Sequence, residues 1–390
     1  LILLFLLKPH LFCLDADGHC KYMKVALVHD YLSQDGGAER VLQAFRDIYP
    51  EAPIFVLFHD KKKLPQFVTS DIRQSFISKM PFGKTKYQWY LPWMPLATER
   101  HNLHDFDLVL SSTSAFAKGI LTRPETLHIS YCHSPTRYLW TDTHEYIHDL
   151  KYNRFIKAFL PRLIHKLRLW DRASVDRVDH FIANSDTVRH RIQKYYRRKS
   201  DIVYPPVDTH LFSRSTKIQN YFISGGRFVP YKRFDLVIQA FNRLGWPLKL
   251  FGDGPELARL KKFAKPNIQF IGRVTDERKI QLIRDAKAFI HPQVEDLGIT
   301  PIESMASGRP VIAYGVGGVT ETVIPGVTGL FFDRQDWESL VDVLLSFDTH
   351  TWDSALIQAH ASKFSANRFK EQIRTYIQKR YSTFLQEMQQ

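Results

Sequence analysis

The sequence predicts an α/β fold of two doubly wound domains, each built on a parallel sheet. Short apolar segments alternate with amphipathic ones from residue 23 onward, a cluster of chain breakers interrupts the alternation, and the alternation then begins again. Strand–helix alternation of this kind is typical of parallel sheets covered by helices. The length of 390 residues corresponds to about two or three domains.

The first domain is predicted over residues 23–210. Short apolar runs mark its strands, and amphipathic stretches mark the helices between them. The predicted strands are Val25–Val28, Ile54–Phe58, Leu108–Ser111, Leu127–Tyr131, Phe181–Ala183 and Ile202–Val203. Among the predicted helices are Ala38–Ile48 and Leu160–Val178.

The second domain is predicted over residues 211–370, after the breaker cluster that starts at Tyr204. Its strands are predicted at Tyr221–Ser224, Leu248–Phe251, Ile268–Ile271, Ala288–Ile290 and Pro310–Tyr314. Its helices are predicted at Phe234–Leu244, Pro255–Phe263, Asp276–Asp285 and Ile302–Ser307. Residues 371–390 form one further amphipathic pattern, which predicts a single C-terminal helix.

Residues 1–22 differ from the rest of the chain. Their apolar run is short, and they lack the basic start of a signal peptide. Met23 then opens a clean strand. We expect residues 1–22 to lie outside the fold, with Met23 as the natural first residue. A weak membrane anchor is the alternative.

The net charge of +14 indicates an anionic partner. Residues 151–200 hold fourteen Lys and Arg but only four acids. Nucleic acid and an anionic membrane are both candidates, and no nucleic-acid-binding motif is present. The basic amphipathic stretch 151–172 could lie on a membrane. The alternative is a helix packed on the core with a solvated basic face.

Three cysteines, Cys13, Cys20 and Cys132, form neither a metal-ligand pattern nor a disulfide framework. A reducing cytoplasm is the simplest interpretation. No segment approaches ~18 consecutive apolar residues, so the sequence predicts no membrane span.

Two carboxylates, Glu295 and Glu303, are the most informative pair of residues. They lie eight positions apart, with Gly298 between them and Pro301 just before the second. The strand and helix predictions place Glu295 after a strand and Glu303 in the first turn of a helix opened by Pro301. Helix starts bind phosphates and sugar oxygens through free N–H groups. A loop carboxylate and a helix-terminal charge without function are the alternative.

Two cations, Arg227 and Lys232, follow a predicted strand and a pair of glycines. Arginine offers a bidentate fork and lysine a point charge, so together they can clamp a diphosphate. Gly36 and Gly37 lie in a strand–turn–helix context that suits a phosphate-binding loop. The motif is not GxGxxG and lacks the acidic residue of a dehydrogenase. A plain turn is the alternative.

These motifs together resemble the retaining glycosyltransferases of the GT4 family. The E-x7-E pattern, the R-x4-K pattern and the Gly-Gly turn all match, and CHSPTRYLW looks closest to the bacterial mannosyltransferases that assemble O-antigen and exopolysaccharide. The resemblance implies the GT-B fold of two Rossmann-like domains with a cleft between them. It also implies that the C-terminal helix crosses back to the N-terminal domain.

The resemblance implies a role for each site residue. Arg227 and Lys232 would hold the diphosphate in place of a metal, Glu295 would bind sugar hydroxyls, and Glu303 the ribose. His133 would lie near the transferred sugar. The remaining donor contacts are implied at Gly36, Gly37, Gly252, Arg273, Leu297, Gly298, Ile299 and Thr300.

The expected reaction is transfer of a hexose, mannose from GDP-mannose, onto a saccharide or lipid-linked saccharide of surface polysaccharide. We expect no cofactor, no metal and no nucleic acid, and a cytoplasmic enzyme with peripheral contact to the inner face of the membrane. Two alternatives stay open. A sugar-nucleotide epimerase of the same fold would turn over its donor without an acceptor, and a basic nucleic-acid-binding protein would show salt-sensitive binding.

Overall fold

The structure, a computed structural model, describes residues 12–14, 20–141, 143 and 154–389. The chain forms two units. One comprises Leu1–Pro206 together with Phe369–Gln390, and the other comprises Val207–Arg368. The division at Pro206 lies within the breaker cluster that starts at Tyr204. Part of the segment predicted as a leader is described as backbone: β1 (Phe12–Leu14) and β2 (Cys20–Tyr22) form a separate antiparallel pair.

The first unit is built on a seven-stranded parallel sheet, in the order β5-β4-β3-β6-β7-β8-β9. Its strands are β3 (Val25–His29), β4 (Ile54–Val56), β5 (Ile72–Gln74), β6 (Leu108–Thr113), β7 (Leu127–Cys132), β8 (His180–Ala183) and β9 (Ser200–Ile202). Every residue of β3, β6 and β7 is buried, as expected of central parallel strands covered on both faces.

Helices and short turns of the first unit cover the two faces of this sheet. The α-helices are α1 (Gly37–Ile48), α2 (Met94–Glu99), α3 (Arg137–Trp140), α4 (Arg154–Ser174) and α5 (Asp186–Arg191). Short segments of 3-10 helix lie at Pro65–Phe67, Phe76–Lys79, Tyr87–Trp93, Ala117–Gly119 and Val175–Arg177, and a π-turn lies at Ile192–Tyr196.

The second unit is built on a six-stranded parallel sheet, in the order β12-β11-β10-β13-β14-β15. Its strands are β10 (Phe222–Arg227), β11 (Leu248–Asp253), β12 (Ile268–Gly272), β13 (Phe289–His291), β14 (Val311–Tyr314) and β15 (Gly329–Phe332). Its α-helices are α6 (Phe234–Leu244), α7 (Leu257–Phe263), α8 (Asp276–Arg284), α9 (Ile299–Ala306), α10 (Val319–Thr322), α11 (Trp337–Ser346) and α12 (Ser354–Ala361). Turns of 3-10 helix lie at Thr209–Leu211, Pro230–Lys232, Thr349–Thr351 and Ser362–Phe364.

A last helix, α13 (Ala366–Glu387), contributes its apolar face to the core of the first unit. Phe369, Ile373, Ile377 and Tyr381 are buried there, in a cluster with Leu27 and other strand residues. Their spacing of three or four residues places them on one face of the helix.

The first six strands of each sheet, numbered in chain order within that sheet, follow the same order. The first strand (β3 or β10) lies centrally, and the fourth (β6 or β13) lies beside it. The chain direction across the sheet reverses between these two strands. Open α/β sheets bind ligands at the carboxyl ends of the strands at such a switch point. In the first unit the point lies between β3 and β6, and in the second between β10 and β13.

The sequence prediction was right about most elements and wrong at particular boundaries. Helix α6 has the predicted bounds. Strand β10 runs beyond its predicted end at Ser224, through Gly225 and Gly226, because both glycines pair with β11. Helix α9 begins three residues earlier than predicted. Strands β5 and β15 were not predicted. Strand β5 is short and partly polar, and β15 is short and begins with a glycine.

Helix α4 shows which face of the basic segment is used. Leu160, Ile164 and Leu167 are buried, whereas Arg162 and Lys166 are exposed. This is the arrangement of a core-packed helix with a solvated basic face. Residues 151–153, and the side chains of 154–159, lie outside the described residues.

A buried ion pair anchors α4 beneath the loop that follows β7. Lys118 and Asp171 are each 1% exposed, and their charged atoms are 2.6 Å apart. Asp171 also accepts hydrogen bonds from the Thr136 hydroxyl and the Trp140 indole, both at 2.8 Å. Three donors offset much of the cost of removing the Asp171 carboxylate from water, but without the lysine its charge would be buried unpaired.

Lys118→Met should destabilise the first unit by about 3–5 kcal/mol, because Asp171 then stays buried without its cation. Arg172→Met is the matched control: it removes an exposed ion pair with Asp176 on the same helix and should cost less than about 1 kcal/mol. Native-state hydrogen exchange on peptides from β6 and β7 measures both. Equal effects would contradict the structural role of the buried pair.

Candidate active site

Strand β10 delivers two cations to the switch point of the second sheet. Arg227 is its last residue and its side chain is exposed. Among the described residues, Arg227 has no acidic partner. Lys232 ends the following 3-10 turn. Gly226 has φ 138°, and a Cβ there would lie 3.2 Å from the Lys232 Nζ. The glycine therefore leaves space for the ammonium group.

Lys232 makes an ion pair with Glu295. The Nζ lies 2.8 Å from Oε1, and the two side chains are 17% and 24% exposed. Glu295 lies in the loop after β13, the neighbour of β10. The same carboxylate accepts a hydrogen bond of 3.2 Å from the Gln293 amide. The structure thus brings into contact two motifs that lie far apart in the sequence.

The protonation state of Glu295 follows from this contact. Burial raises the pKa of the carboxyl, but the charges of Lys232 and His291 and the hydrogen bonds from Lys232 and Gln293 lower it. The lowering effects prevail, so the pKa lies below its ordinary value. Glu295 is an anion at neutral pH and can accept hydrogen bonds from hydroxyl groups.

Helix α9 points its N-terminus at this edge of the sheet. Its N-cap is Gly298, which has φ 89° and no side chain to occupy the free N–H groups. Leu297 is buried before the cap, and Ile299 and Thr300 are the first two helical residues. Their backbone N–H groups are the ones that an anion can bind.

The predicted position of Glu303 was wrong. Because α9 begins at Ile299, Pro301 is the third helical residue, and Glu303 lies beyond the first turn. Proline is tolerated there because the first N–H groups have no intrahelical partner. Glu303 is 2% exposed, and its Oε1 lies 2.9 Å from the Lys279 Nζ of α8. The carboxylate is therefore held by a lysine rather than left free at a helix start.

Gly252 and Arg273 occupy neighbouring strand ends but differ in what they contact. A Cβ on Gly252, which has φ 121°, would lie 1.9 Å from the Gly226 carbonyl oxygen. The glycine is thus required for close approach of β11 to β10. Arg273 is 85% exposed, and its Nε lies 3.2 Å from an Asp253 carboxylate oxygen.

A glycine turn after β14 fixes the Glu295 loop. The Gly318 N–H donates to the Glu295 carbonyl at 2.9 Å. A Cβ on Gly317 would lie 2.8 Å from that oxygen, and one on Gly318 would lie 2.1 Å from the Asp296 oxygen. Only glycines permit this backbone contact, which sets the position from which the Glu295 side chain extends.

His291 and Gln293 are polar residues of this site that the sequence analysis missed. His291 ends β13 and is fully buried, and burial lowers its pKa to about 4. Within the described part of the chain, neither ring nitrogen of His291 nor the Gln293 Oε1 has a hydrogen-bond partner. The pattern strand–His–Pro–Gln before Glu295 was the available signal.

His133 lies in the first unit, just after β7. Its Nε2 lies 2.8 Å from the Ser112 hydroxyl, which in turn lies 3.1 Å from the Nδ1 of His29. His29 is the last residue of β3, and its partner Ser112 is the last but one of β6; these are the two switch-point strands. Burial, followed by the charge of His29, lowers the pKa of His133 to about 3. The ring is neutral at physiological pH.

Gly36 and Gly37 connect to His133 through Glu39. Gly36 is the N-cap of α1 and Gly37 its first residue. A Cβ on Gly36 would lie 3.1 Å from the Glu39 Oε2. Glu39 is 4% exposed, and its Oε1 lies 3.9 Å from the His29 Nε2. The glycines therefore allow a carboxylate to fold back toward the histidines.

Asp30 is a further residue that sequence reasoning missed. Its two carboxylate oxygens accept hydrogen bonds of 2.7–2.9 Å from four backbone N–H groups, those of Ser114, Ala115, Phe116 and Ala117. Asp30 thus ties the loop after β6 to the end of β3. Asp30 positions the backbone at the switch point, and each of its two carboxylate oxygens accepts two of these hydrogen bonds.

Each unit therefore holds one part of the predicted set. In the second unit Lys232 and Glu295 are in contact, with Gly298 at the adjacent helix start. In the first unit His133 and the Gly36 turn are joined by Ser112, His29 and Glu39. Among the residues that the structure describes, no group of three or more His, Cys, Asp or Glu could hold a metal ion, and no helix is long and apolar enough to cross a bilayer.

Two family models match adjacent parts of the chain. The model of glycosyltransferase family 4 matches residues 36–211, which include His133. The model of glycosyl transferases group 1 matches residues 210–350, which include Lys232 and Glu295. The chain belongs to the family 4 glycosyltransferases.

Relatives of this family 4 chain are distant. It is 27% identical over 172 residues to an uncharacterized glycosyltransferase of Methanocaldococcus jannaschii, covering 43% of this chain and 49% of that protein. It is 25% identical over 220 residues to the D-inositol 3-phosphate glycosyltransferase of Mycolicibacterium smegmatis (49% and 50%). It is 26% identical over 213 residues to the O-antigen chain mannosyltransferase RfbU of Salmonella typhimurium (50% and 58%). The chain thus spans about half the length of the curated relatives that it matches.

Solved structures share the fold of this family 4 glycosyltransferase. Anabaena HepE, in complex with UDP and glucose, matches with a TM-score of 0.68 and 18% identity, over 91% of this chain and 99% of that one. Sucrose-phosphate synthase from Thermosynechococcus elongatus matches with a TM-score of 0.71 and 16% identity, over 92% and 99%. These likenesses concern the fold, and they confirm the predicted GT-B architecture.

Gly252→Ala should strongly destabilise the second unit of this family 4 protein, because its Cβ would collide with the Gly226 carbonyl. Gly245→Ala is the matched control. Gly245 also has positive φ, 71°, but a Cβ there meets nothing within 4 Å, so the cost should be only the ~1–2 kcal/mol of left-handed backbone. Urea unfolding measures both. Equal stabilities would contradict the packing role of Gly252.

Stability should fall on acidification below pH 6.5, the ordinary pKa of histidine. The folded protein binds protons at His133 and His291 only near pKa 3 and 4, whereas the unfolded chain binds them from pH 6.5 downward. Each such histidine contributes a slope of up to about 1.4 kcal/mol per pH unit. Urea unfolding between pH 7 and pH 5 should show a shallower slope in His133→Asn and in His291→Asn. A slope like that of the parent would show that the native ring accepts a proton.

Proposed function

We propose that this chain is a retaining glycosyltransferase that transfers a hexose from a nucleotide-sugar donor to a saccharide acceptor. The observation that carries the proposal is the contact between Lys232 and Glu295 at the switch point of the second sheet. A cation suited to a diphosphate and a carboxylate suited to sugar hydroxyls lie side by side there. The phosphate and the sugar of a nucleotide-sugar are adjacent in the same way.

The donor would lie with its diphosphate between the cations and the start of α9. Arg227 is exposed and without an acidic partner among the described residues, so it is available to a phosphate. The N–H groups of Ile299 and Thr300 add neutral donors. As the bond between the anomeric carbon and the diphosphate oxygen breaks, negative charge grows on the leaving group. Cations already in place stabilise that charge without reorganisation.

Glu295 would hold the sugar of the donor, and Glu303 the ribose. Glu295 is ionised, so it accepts hydrogen bonds from hydroxyl groups and orients the ring. In this proposal the acceptor hydroxyl attacks the anomeric carbon, and its proton passes to an oxygen of the departing diphosphate. His133, neutral and bonded to Ser112, would contact the transferred sugar as a hydrogen-bonding group rather than as a cation.

The finer proposal is mannose from GDP-mannose, with a lipid-linked saccharide of surface polysaccharide as acceptor. The similarity to the O-antigen chain mannosyltransferase RfbU supports it. The D-inositol 3-phosphate glycosyltransferases among the relatives favour another acceptor class. We propose that Arg227 and Lys232 neutralise the leaving group and that transfer needs no metal ion.

A thermal-shift panel of GDP-mannose, UDP-glucose, UDP-N-acetylglucosamine and ADP-glucose tests donor binding, because a ligand of the native state raises its stability. Transfer is then tested with the stabilising donor and a set of lipid-linked saccharides, in EDTA. Product with the donor's anomeric configuration supports the proposal. Stabilisation by none of the four, or donor turnover without acceptor, would overturn it. Loss of activity in EDTA that Mn²⁺ restores would overturn metal independence.

Lys232→Ala should weaken binding of the nucleoside diphosphate by roughly 1.5–3 kcal/mol, the strength of a hydrogen bond to a charged group. Arg227→Ala should weaken binding of the nucleoside diphosphate without reducing the stability of the protein. Lys262→Ala, on the exposed side of α7 in the same unit, is the control and should change neither the affinity nor the stability. Titration calorimetry with GDP and UDP measures the affinities.

A double variant separates ligand binding from structural pairing. If Lys232 served only to neutralise Glu295, Lys232→Ala/Glu295→Gln would restore GDP or UDP affinity to the parent's value. We expect that it does not, because the diphosphate still lacks its cation. Restored affinity would contradict the clamp.

A further inference from the structure

A surface of the first unit exposes aromatic rings beside lysines. It lies between β5 and the end of α2. Phe82 is 60% exposed, Trp89 56% and Trp93 54%. Large aromatic side chains are otherwise mostly buried in proteins. We name this the aromatic–lysine surface, and its members are Lys79, Phe82, Lys84, Lys86, Trp89 and Trp93.

The segment that carries this surface is firmly packed on its inner side. Ile77, Met94 and Ala97 are buried in a cluster with Ile164 and Leu167 of α4. The outward rings are therefore not the result of a loosely attached loop. The segment has one apolar side toward the core and a second apolar side toward solvent.

The outward side chains form a contact group of their own. The rings of Phe82 and Trp89 meet edge to face with centroids 6.2 Å apart. The Lys86 ammonium lies 4.6 Å from the Trp89 centroid and 5.3 Å from that of Phe82. A cation over aromatic rings at the protein surface keeps its charge exposed while its stem covers apolar area.

The backbone holds Phe82 outward at a cost. Phe82 has φ 56°, in the left-handed region that a bulky residue rarely adopts. At the next residue a Cβ would lie 2.0 Å from the Ile77 carbonyl oxygen, so position 83 must be glycine. The turn is closed by hydrogen bonds from Gly83 to Met80 and from Lys86 to Phe82. Retained strain of this kind is typical of functional segments.

The charge of the segment has one sign. Residues 72–98 contain four cations, at positions 73, 79, 84 and 86, and no Asp or Glu. Met80 and Leu96, 40% and 43% exposed, extend the apolar area beside the rings. An anionic partner with an apolar interior complements this combination. Nucleic acid would match the cations and rings but not the aliphatic side chains.

We propose that the aromatic–lysine surface docks the first unit on an anionic lipid bilayer. Tryptophan and phenylalanine rings enter the boundary between headgroups and acyl chains, where amphipathic aromatic side chains are favoured. The three lysines contact the anionic headgroups, and salt screens this attraction. The assignment does not depend on sugar transfer. It places membrane contact on this segment rather than on α4, whose described apolar side chains are mostly in the core.

Co-sedimentation of the full chain with lipid vesicles tests this assignment. Binding is expected to vesicles that contain phosphatidylglycerol, to be absent with phosphatidylcholine alone, and to fall as salt rises. Trp89→Ser/Trp93→Ser and Lys84→Glu/Lys86→Glu should each reduce the bound fraction by at least roughly tenfold. Trp89→Phe/Trp93→Phe should retain binding while losing the quenching of tryptophan fluorescence by brominated lipid.

Matched controls use equally exposed residues elsewhere. Leu345→Ser/Leu356→Ser replaces side chains that are 63% and 52% exposed in the second unit, and Lys61→Glu/Lys62→Glu reverses two exposed charges in the first. Both should bind vesicles as the parent does. Binding that survives the tryptophan and lysine variants would overturn the proposal, as would a parent protein that fails to bind vesicles containing phosphatidylglycerol. Two further outcomes would overturn it if vesicle binding stayed unchanged in these variants. One is that the variants lose single-stranded DNA binding, and the other is that they lose a dimer formed by the parent protein.

Discussion

The ion pair between Lys232 and Glu295 joins two loops that lie far apart in the sequence, and the second unit is arranged around it. The lysine follows the central strand β10, and the glutamate follows the adjacent β13. Gly226 leaves room for the ammonium group, and Gly317 and Gly318 let the next loop contact the backbone of the Glu295 loop. Although burial raises the pKa of the Glu295 carboxyl, the charge of Lys232, together with hydrogen bonds from Lys232 and Gln293, holds that pKa below its ordinary value. The anion and the cation are thus ready at one edge of the sheet before any ligand arrives.

Different groups position the switch-point loops of the first unit. Among the described residues, its switch point carries no lysine–glutamate contact; instead Asp30 accepts hydrogen bonds from four backbone N–H groups and fixes the loop after β6. Beside it, Ser112 connects His133 to His29, with Glu39 near the far side of the His29 ring. Because burial keeps His133 neutral, its ring offers hydrogen bonds rather than charge. The two units therefore have the same strand order but offer different chemistry at the corresponding place.

Two segments of this protein show that an apolar sequence pattern does not by itself decide whether apolar side chains are exposed to solvent. Helix α4 combines cations with apolar residues, yet Leu160, Ile164 and Leu167 are buried in the core. The segment around Trp89 has a weaker helical pattern but places its largest rings in solvent. The other segment packs one side inward through Ile77 and Met94 and still exposes the rings of Phe82, Trp89 and Trp93.

The sequence by itself determined the fold class, most strands and helices, and the identity of the main charged residues of the site. Alternating apolar and amphipathic segments define parallel sheets because each strand must be covered on both faces. The bounds of Phe234–Leu244 followed from local signals alone, and the glycines marked places of close backbone approach. These properties are local, or repeat along the chain, and a sequence displays them directly.

Only the tertiary structure decided which of these groups meet. The sequence showed Lys232 and Glu295 as members of separate motifs, and their contact arises from the crossover that makes β10 and β13 neighbours. It gave no sign of the Glu303 contact with Lys279, of the His29–Ser112–His133 chain, or of the role of Asp30, because each joins elements whose adjacency is set by strand order. The start of α9 was also decided by tertiary structure, because the left-handed backbone of its cap Gly298 depends on how the preceding loop is packed. Pairing across a sheet is a long-range property, and no local pattern of residues encodes it.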